Sequence, residues 1–105
     1  MLGLSITGST LTYRNPKLLV GAKGAPCQSC GSEDYTTVAA HSNQSRDGRG
    51  YAHKSADYRV AYLCMHCHDL VDGRAGALTR AEKVDLFEAA HRRTIGYIFE
   101  SGIVK

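Results

Sequence analysis

The longest amphipathic pattern in the chain lies near its C-terminus and predicts a helix. Thr79 and Glu82 form a capping-box pair, in which the hydroxyl and the carboxylate satisfy free backbone N–H groups of the first turn. Apolar residues and one histidine then recur at intervals of three or four, and Gly102 is a typical C-terminal stop. The positions that predict the buried face of this helix are Val84, Phe87, His91, Ile95 and Ile98.

Two shorter segments have the β-branched and aromatic composition of strands. The first, residues 35–40 (YTTVAA), ends directly before His41, and the second, residues 58–63 (YRVAYL), leads directly into Cys64. A polar, basic loop connects them, and a short helix over 65–72 follows the second strand. The pattern therefore predicts a small α+β domain: a β-hairpin, a short helix and an additional C-terminal amphipathic helix.

Length and composition limit the chain to one domain. Its 105 residues, 43% hydrophobic and 22% charged, predict a single folded domain over 1–105, with 1–13 as a loose lead-in. No apolar run approaches the roughly 18 residues that span a bilayer, and the N-terminus lacks the pattern of a secretory leader. We therefore expect a cytoplasmic protein without a membrane partner. The net charge of +3 is compatible with a polyanionic partner without requiring one.

The four cysteines fall into two C-x-x-C pairs, Cys27 with Cys30 and Cys64 with Cys67. Two intervening residues let both sulfurs of a pair reach one ion, and two pairs supply the four tetrahedral ligands of a structural Zn²⁺. Two disulfides or unrelated buried thiols are the alternatives, and a reducing compartment disfavours disulfides. A four-cysteine site has no open position for water, so any chemistry requires a second site.

Two histidines adjoin this framework. His68 directly follows Cys67, and Asp72 lies four residues later on the same face of the predicted short helix, so the two can share a divalent ion. His41 ends the first strand, where a neutral imidazole can take a proton from a water that attacks phosphorus. The residues alone leave open that His68 and Asp72 simply face water and that His41 is merely packed at a strand end.

The order of these motifs resembles the zinc-containing branch of the HNH (ββα-metal) endonucleases. A C-x-x-C pair, a strand ending in Ala40-His41, a basic loop, a second strand and then Cys64-x-x-Cys67-His68 follow one another as in that branch. More closely, the chain is similar to small nucleases of phages and prophages of about this length. The resemblance covers about residues 14–105. Its further matching residues are Lys54, Asp57, Asp69, Asp72 and the end of the last helix, 100–105.

The resemblance implies a zinc-stabilised ββα-metal fold and a metal-dependent endonuclease that hydrolyses DNA. By this resemblance His41 is the general base and His68 a ligand of a second divalent ion such as Mg²⁺, Mn²⁺ or Ni²⁺, with Asp72 as a further ligand. Asp57 either orients His41 or ligates the ion. The implied partners are duplex or branched DNA and phage or host proteins of recombination or replication, in the cytoplasm of a bacterial host.

Two positions depart from the pattern of the HNH enzymes. Ala40 stands where many members carry a metal-ligating Asp or His, and Arg59 stands where they carry Asn. Asn43 or Asp57 is expected to substitute. These departures favour a rival hypothesis, in which the same zinc scaffold is a binding module for nucleic acid or protein with a degenerate active site. A third hypothesis is a structural zinc protein in a larger assembly, which a dimer formed through the apolar face of the last helix would favour.

The loop between the strands is the predicted contact with nucleic acid. It leaves the candidate base and returns to the candidate metal site, so phosphate contacts there would centre the backbone on the chemistry. A solvated loop without a ligand is the alternative. The predicted contact residues are Arg46, Arg49, Lys54 and Arg59.

Overall fold

The protein places a two-stranded hairpin between a short helical turn and two further helices. The computed structural model describes residues 13–44, 55–73 and 76–104. Along this part of the chain the elements are helix α1 (Pro16–Val20), strand β1 (Val38–His41), strand β2 (Val60–Leu63), helix α2 (Met65–Asp72) and helix α3 (Arg80–Glu100). The predicted α+β class and the order of hairpin, short helix and long helix are confirmed.

The two strands are antiparallel, with His41 opposite Val60 and Val38 opposite Leu63. The prediction that β1 begins at residue 35 was wrong. Tyr35 has a φ of 65° and is 88% exposed, so it turns the chain instead of extending it. The Asp34 side chain accepts the Thr36 N–H at 3.0 Å, and this local bond replaces a ladder bond. Residue type favoured a strand here, but the aspartate fixed a turn.

Helix α3 begins and ends where the sequence predicts. Thr79 is its N-cap, and both hydrogen bonds of the capping box with Glu82 form. At the other end Gly102 has a φ of 79°, a left-handed conformation that glycine adopts without strain. The buried stripe differs from the predicted one by the inclusion of small residues. It consists of Phe87, Ala90, Thr94 and Ile98, whereas Val84, His91 and Ile95 are half-buried.

Helix α3 satisfies backbone groups of β2 that its partner strand does not reach. The buried Thr94 hydroxyl accepts the Tyr62 N–H at 2.9 Å and donates to the Ala90 carbonyl at 2.8 Å. His91 Nδ1 lies 2.7 Å from the Val60 carbonyl oxygen, and since a carbonyl only accepts, the imidazole donates. These bonds cover a strand edge that would otherwise carry unpaired polar groups. They explain why polar residues occupy the packed face of the helix.

The hairpin has a separate core cluster on each face, because successive side chains of a strand point in opposite directions. On one face Ala40, Ala61 and Leu63 pack with the three buried cysteines, α2 and the first half of α3. On the other face Val60 and Tyr62 pack against α1 and the second half of α3. The Tyr62 hydroxyl donates to the Leu18 carbonyl there, and burial raises the pKa of Tyr62 to about 12. The buried cysteines therefore lie on one face of the hairpin, and His41 lies on the other.

Candidate functional site

The four cysteine sulfurs form one cluster. All four Sγ atoms lie within 4.8 Å of one another, no disulfide joins them, and Cys30 Sγ is 3.7 Å from Cys64 Sγ. Tetrahedral zinc with Zn–S bonds of about 2.3 Å needs sulfurs about 3.8 Å apart. The cluster can therefore hold a metal ion such as zinc, as the sequence predicts. Such an ion joins the turn before β1 to the start of α2, since Cys64 is the N-cap of that helix.

The surroundings of the sulfurs suit a bound cation. Burial raises the pKa of Cys27, but backbone N–H groups, including those of Cys30 and Ser29, donate to its sulfur and bring the pKa down to about 7. Burial raises the pKa values of Cys64 and Cys67 above the ordinary value of a thiol. Four thiolates side by side need a metal ion to balance their charge, so binding and loss of protons are coupled.

His41 and Asp57 form the first of two histidine–aspartate pairs. His41 Nε2 lies 2.9 Å from Asp57 Oδ1, and Asp57 is only 1% exposed. A carboxylate accepts hydrogen bonds, so Nε2 carries the proton in this contact and the lone pair of the neutral ring is on Nδ1. The pair thus has the arrangement in which a carboxylate orients an imidazole that can accept a proton. The resemblance implied this orienting role as one of two for Asp57.

The buried carboxylate of Asp57 is held by a segment 42 residues earlier. The Asn15 N–H donates to Asp57 Oδ2 at 2.7 Å, and Arg14 Nη1 lies 3.7 Å from Oδ1. The same Arg14 nitrogen donates to the Ser55 carbonyl at 2.8 Å. Sequence reasoning missed Arg14 and Asn15, because nothing local marks a long-range contact. The sequence pair Asn15-Pro16 indicated only a local turn. Asn15 is in fact the N-cap of α1, where its Oδ1 accepts the Lys17 N–H.

His68 and Asp72 form the second pair, on α2. His68 Nε2 is 3.3 Å from Asp72 Oδ2, and both side chains are partly open to solvent. Neighbouring ligands of an octahedral ion with bonds of about 2.1 Å are about 3.0 Å apart, so the two atoms fit one divalent ion with a small adjustment. The same distance also suits a direct ion pair of a protonated His68. Among the described residues the cysteines are the only group of three or more metal-ligating side chains.

The two pairs belong to different faces of the hairpin. Ala40 packs in the cluster that contains Val71 of α2. His41, the next residue, alternates with it, and its register partner Val60 belongs to the cluster on the α1 face. Beyond the end of β1, however, Asn43 lines a cleft together with Asp72. The chain that follows His41 therefore leads to the second pair around the end of the strand.

Arg59 is held by a residue that sequence reasoning did not single out. The Arg59 guanidinium donates to the carboxylate of Glu88 on α3, and the Gln44 side chain donates to the same carboxylate. The guanidinium also lies 5.6 Å from the centroid of the Phe87 ring. The hydrogen bond from Arg59 is the main cause that lowers the pKa of Glu88. Arg59 thus ties the start of β2 to α3, and its predicted contact with nucleic acid stays a prediction. Arg46, Arg49 and Lys54 lie outside the described residues.

Fold and site together define a class: a small α+β domain with a cysteine cluster that can hold a metal ion and two histidine–aspartate pairs. A family model described as "Putative nuclease YbcO" matches residues 16–103, and the chain belongs to this family. Membership indicates a nuclease function, and with it hydrolase activity and nucleic acid as the partner. Searches of the curated proteins and of the solved structures found no match to the chain. None of the described helices is long and apolar enough to cross a membrane.

Proposed function

We propose that the protein is a metal-dependent endonuclease of the HNH kind that hydrolyses DNA phosphodiester bonds. The observation that carries this proposal is the pairing of His41 with the buried carboxylate of Asp57. A histidine merely packed at a strand end needs no buried charge beside it, and burying a carboxylate is costly unless it is paired. Here the carboxylate fixes the ring orientation that a general base requires.

In the proposed reaction His41 acts through Nδ1. It takes a proton from a water molecule, the water oxygen forms a bond to phosphorus, and the bond from phosphorus to the 3′ oxygen breaks. The products are a 5′-phosphate and a 3′-hydroxyl, the latter after the leaving oxygen takes a proton from a solvent water molecule. Asp57 holds the Nε2–H and stabilises the imidazolium that forms. Asn15 and Arg14 position Asp57.

His68 and Asp72 are the residues proposed to hold the catalytic ion, with Mg²⁺, Mn²⁺ or Ni²⁺ as candidates. When bound, a divalent ion there supplies positive charge against the phosphorane and the leaving oxygen. Two protein ligands would leave such an ion free to bind water and phosphate oxygens as well. The cysteine cluster, with its closed set of ligands, has a structural role in this proposal.

The proposed substrate contacts remain those of the loop between the strands, Arg46, Arg49 and Lys54, with Arg59 at its end. The Arg59 guanidinium is engaged by Glu88, so contact with a phosphate would require it to share or exchange that partner. Contacts of this kind give affinity and register but no sequence selectivity. A role in phage recombination or replication, alongside phage or host proteins, follows from the resemblance alone.

A binding module is the second candidate function. Ala40, at the position where many HNH enzymes carry a metal ligand, is 4% exposed and packs in the core. Arg59, at the position of the usual Asn, is paired with Glu88. Neither residue supplies a ligand to an ion at His68 and Asp72. On this hypothesis the zinc-stabilised scaffold binds nucleic acid or a protein without cutting.

The test is nicking of supercoiled plasmid by zinc-loaded protein with Mg²⁺, Mn²⁺ or Ni²⁺, with an EDTA control. His41→Ala is the test variant and His66→Ala, which removes an exposed imidazole, is its matched control. We expect metal-dependent nicking that His41→Ala abolishes and His66→Ala retains. Binding of DNA without nicking under any ion would favour the binding module. Equal nicking by both variants would exclude His41 as the base.

A further inference from the structure

A cleft of about 600 Å³ opens beside α2 and the first turns of α3. Buried and half-buried apolar side chains, Val71, Val84 and Phe87, form its inner wall. Two amide side chains from the loop after β1, Asn43 and Gln44, line it as well. Its volume lies in the range of about 300–1,000 Å³ that is usual for ligand sites.

Two cations, Arg80 and Lys83, also line this cleft. They are three residues apart on α3 and so lie on the same side of the helix. The Lys83 ammonium lies over Gly73, the C-cap of α2, because its Nζ is 3.1 Å from the position that a Cβ on Gly73 would take. Among the described residues that line the cleft, two cations stand against one carboxylate, so the charge of this lining is net positive. Within the described residues, neither cation has an ion pair that would neutralise it.

We propose that this cleft binds the sugar-phosphate backbone of the substrate strand, with Arg80 and Lys83 as its phosphate contacts. The inference rests on the proposed nuclease function and adds a substrate-binding surface on α3 to the loop between the strands. Arginine and lysine are the usual partners of phosphate oxygens, and the amides of Asn43 and Gln44 can donate to phosphate or sugar. The apolar wall offers contact to the sugar.

The place of the cleft agrees with the proposed chemistry. Asn43 is two residues beyond His41, and Asp72 is the partner of His68. A phosphodiester held by Arg80 and Lys83 therefore lies beside the carboxylate of the proposed ion site, and Asn43 connects the same cleft to the end of β1.

The test measures binding of zinc-loaded protein to a fluorescein-labelled DNA duplex by anisotropy, over a range of salt concentrations and without a second divalent ion. The test variant is Arg80→Ala with Lys83→Ala. The control is Lys17→Ala with Lys23→Ala, which removes the same charge from exposed positions around α1. We expect the test variant to weaken binding about 10-fold or more and to lower the salt slope by about 2, because two phosphate contacts are lost. The control should stay within about twofold of the wild type.

Three other results would overturn the inference. Equal losses in both variants would mean that total charge matters and the cleft does not. Unchanged binding in Arg80→Ala with Lys83→Ala, while the wild type binds DNA and nicks plasmid, would sink this inference and leave the nuclease proposal intact. Failure of the wild type to bind duplex or single-stranded DNA would contradict both. Circular dichroism and zinc content must show that each variant is folded.

Discussion

The substitution Asp57→Asn separates the positioning of His41 from the packing of the site. Asparagine keeps the shape of aspartate and an oxygen that can accept the Asn15 N–H. Its amide nitrogen, however, is a donor, and placed toward His41 Nε2 it requires that nitrogen to accept. The ring proton then moves to Nδ1, the atom proposed to receive the proton from water. The base is therefore blocked although its ring stays in place.

The cost in stability follows from the contacts of the carboxylate. Asp57 accepts two hydrogen bonds, at 2.7 Å from Asn15 N and 2.9 Å from His41 Nε2, and is 1% exposed. A bond to a charged group contributes about 1.5–3 kcal/mol and a neutral bond about 0.5–1.5 kcal/mol, so neutralisation costs about 1 kcal/mol per bond. The total of about 2 kcal/mol lowers Tm by roughly 8–16 °C for a domain of this size.

The assay compares thermal unfolding and plasmid nicking of Asp57→Asn with those of Asp85→Asn. Asp85 is an exposed residue of α3, so its substitution makes the same chemical change away from the site. We expect nicking by folded Asp57→Asn to fall about 100-fold or more, since a general base contributes about 10²–10⁴-fold. Asp85→Asn should change neither property. Wild-type nicking by a folded Asp57→Asn would refute the proposed tautomer and its role.

Three further predictions concern the scaffold. Gly96 lies inside α3, and apart from the helix's own backbone and its chain neighbours no atom of the described residues lies within 4 Å of the position that an alanine Cβ would take there. Gly96→Ala should therefore stabilise the domain by about 1 kcal/mol, seen as a rise in Tm of about 4–8 °C, and a lower Tm would contradict this. Glu88→Gln should cost about 1 kcal/mol at pH 7, because Arg59 holds the pKa of Glu88 below its ordinary value of 4.5. This contribution is present above pH 4.5 and is lost as pH falls through the lower pKa of Glu88 in the folded state. The free energies of unfolding of wild type and variant, measured by urea titration, should therefore converge at acid pH. A difference that does not change with pH would count against the ion pair. Removal of zinc by a chelator should abolish cooperative thermal unfolding, while an unchanged melting curve after measured zinc loss would show that the cysteine cluster is dispensable.

The elements that the sequence predicted well depend on neighbours in the chain. The capping box of Thr79 and the C-x-x-C spacing act over three residues, so α3 and the cysteine cluster could be predicted from local pattern. The i to i+4 spacing likewise brought His68 and Asp72 together. The start of β1, in contrast, was predicted wrongly, although its cause is also local. Asp34 lies one residue before the predicted strand, and its hydrogen bond to the Thr36 N–H outweighed the preference of these residue types for a strand.

The parts that sequence reasoning missed depend on contacts between distant segments. Asn15 reaches Asp57 across 42 positions, and Arg59 reaches Glu88 across 29. No spacing rule links such residues, because the tertiary packing of α1 and α3 on the hairpin brings them together. The hydrogen bond from the Tyr62 N–H to the Thr94 hydroxyl is another such contact, since a threonine on a helix face gives no indication that it will cover a strand edge. For Arg80 and Lys83 the sequence predicted only a place in the last helix, because nothing in the local pattern indicates the cleft that they line.

The most direct test of the central proposal is cleavage by His41→Ala in the absence and presence of imidazole. Under single-turnover conditions with a labelled DNA duplex and the ion that best supports nicking, folded His41→Ala should cleave about 100-fold or more slowly than wild type. Free imidazole should restore part of this rate, because it replaces the missing base, and His66→Ala should need no rescue. A folded, zinc-loaded His41→Ala that cleaves at the wild-type rate without imidazole would contradict the account.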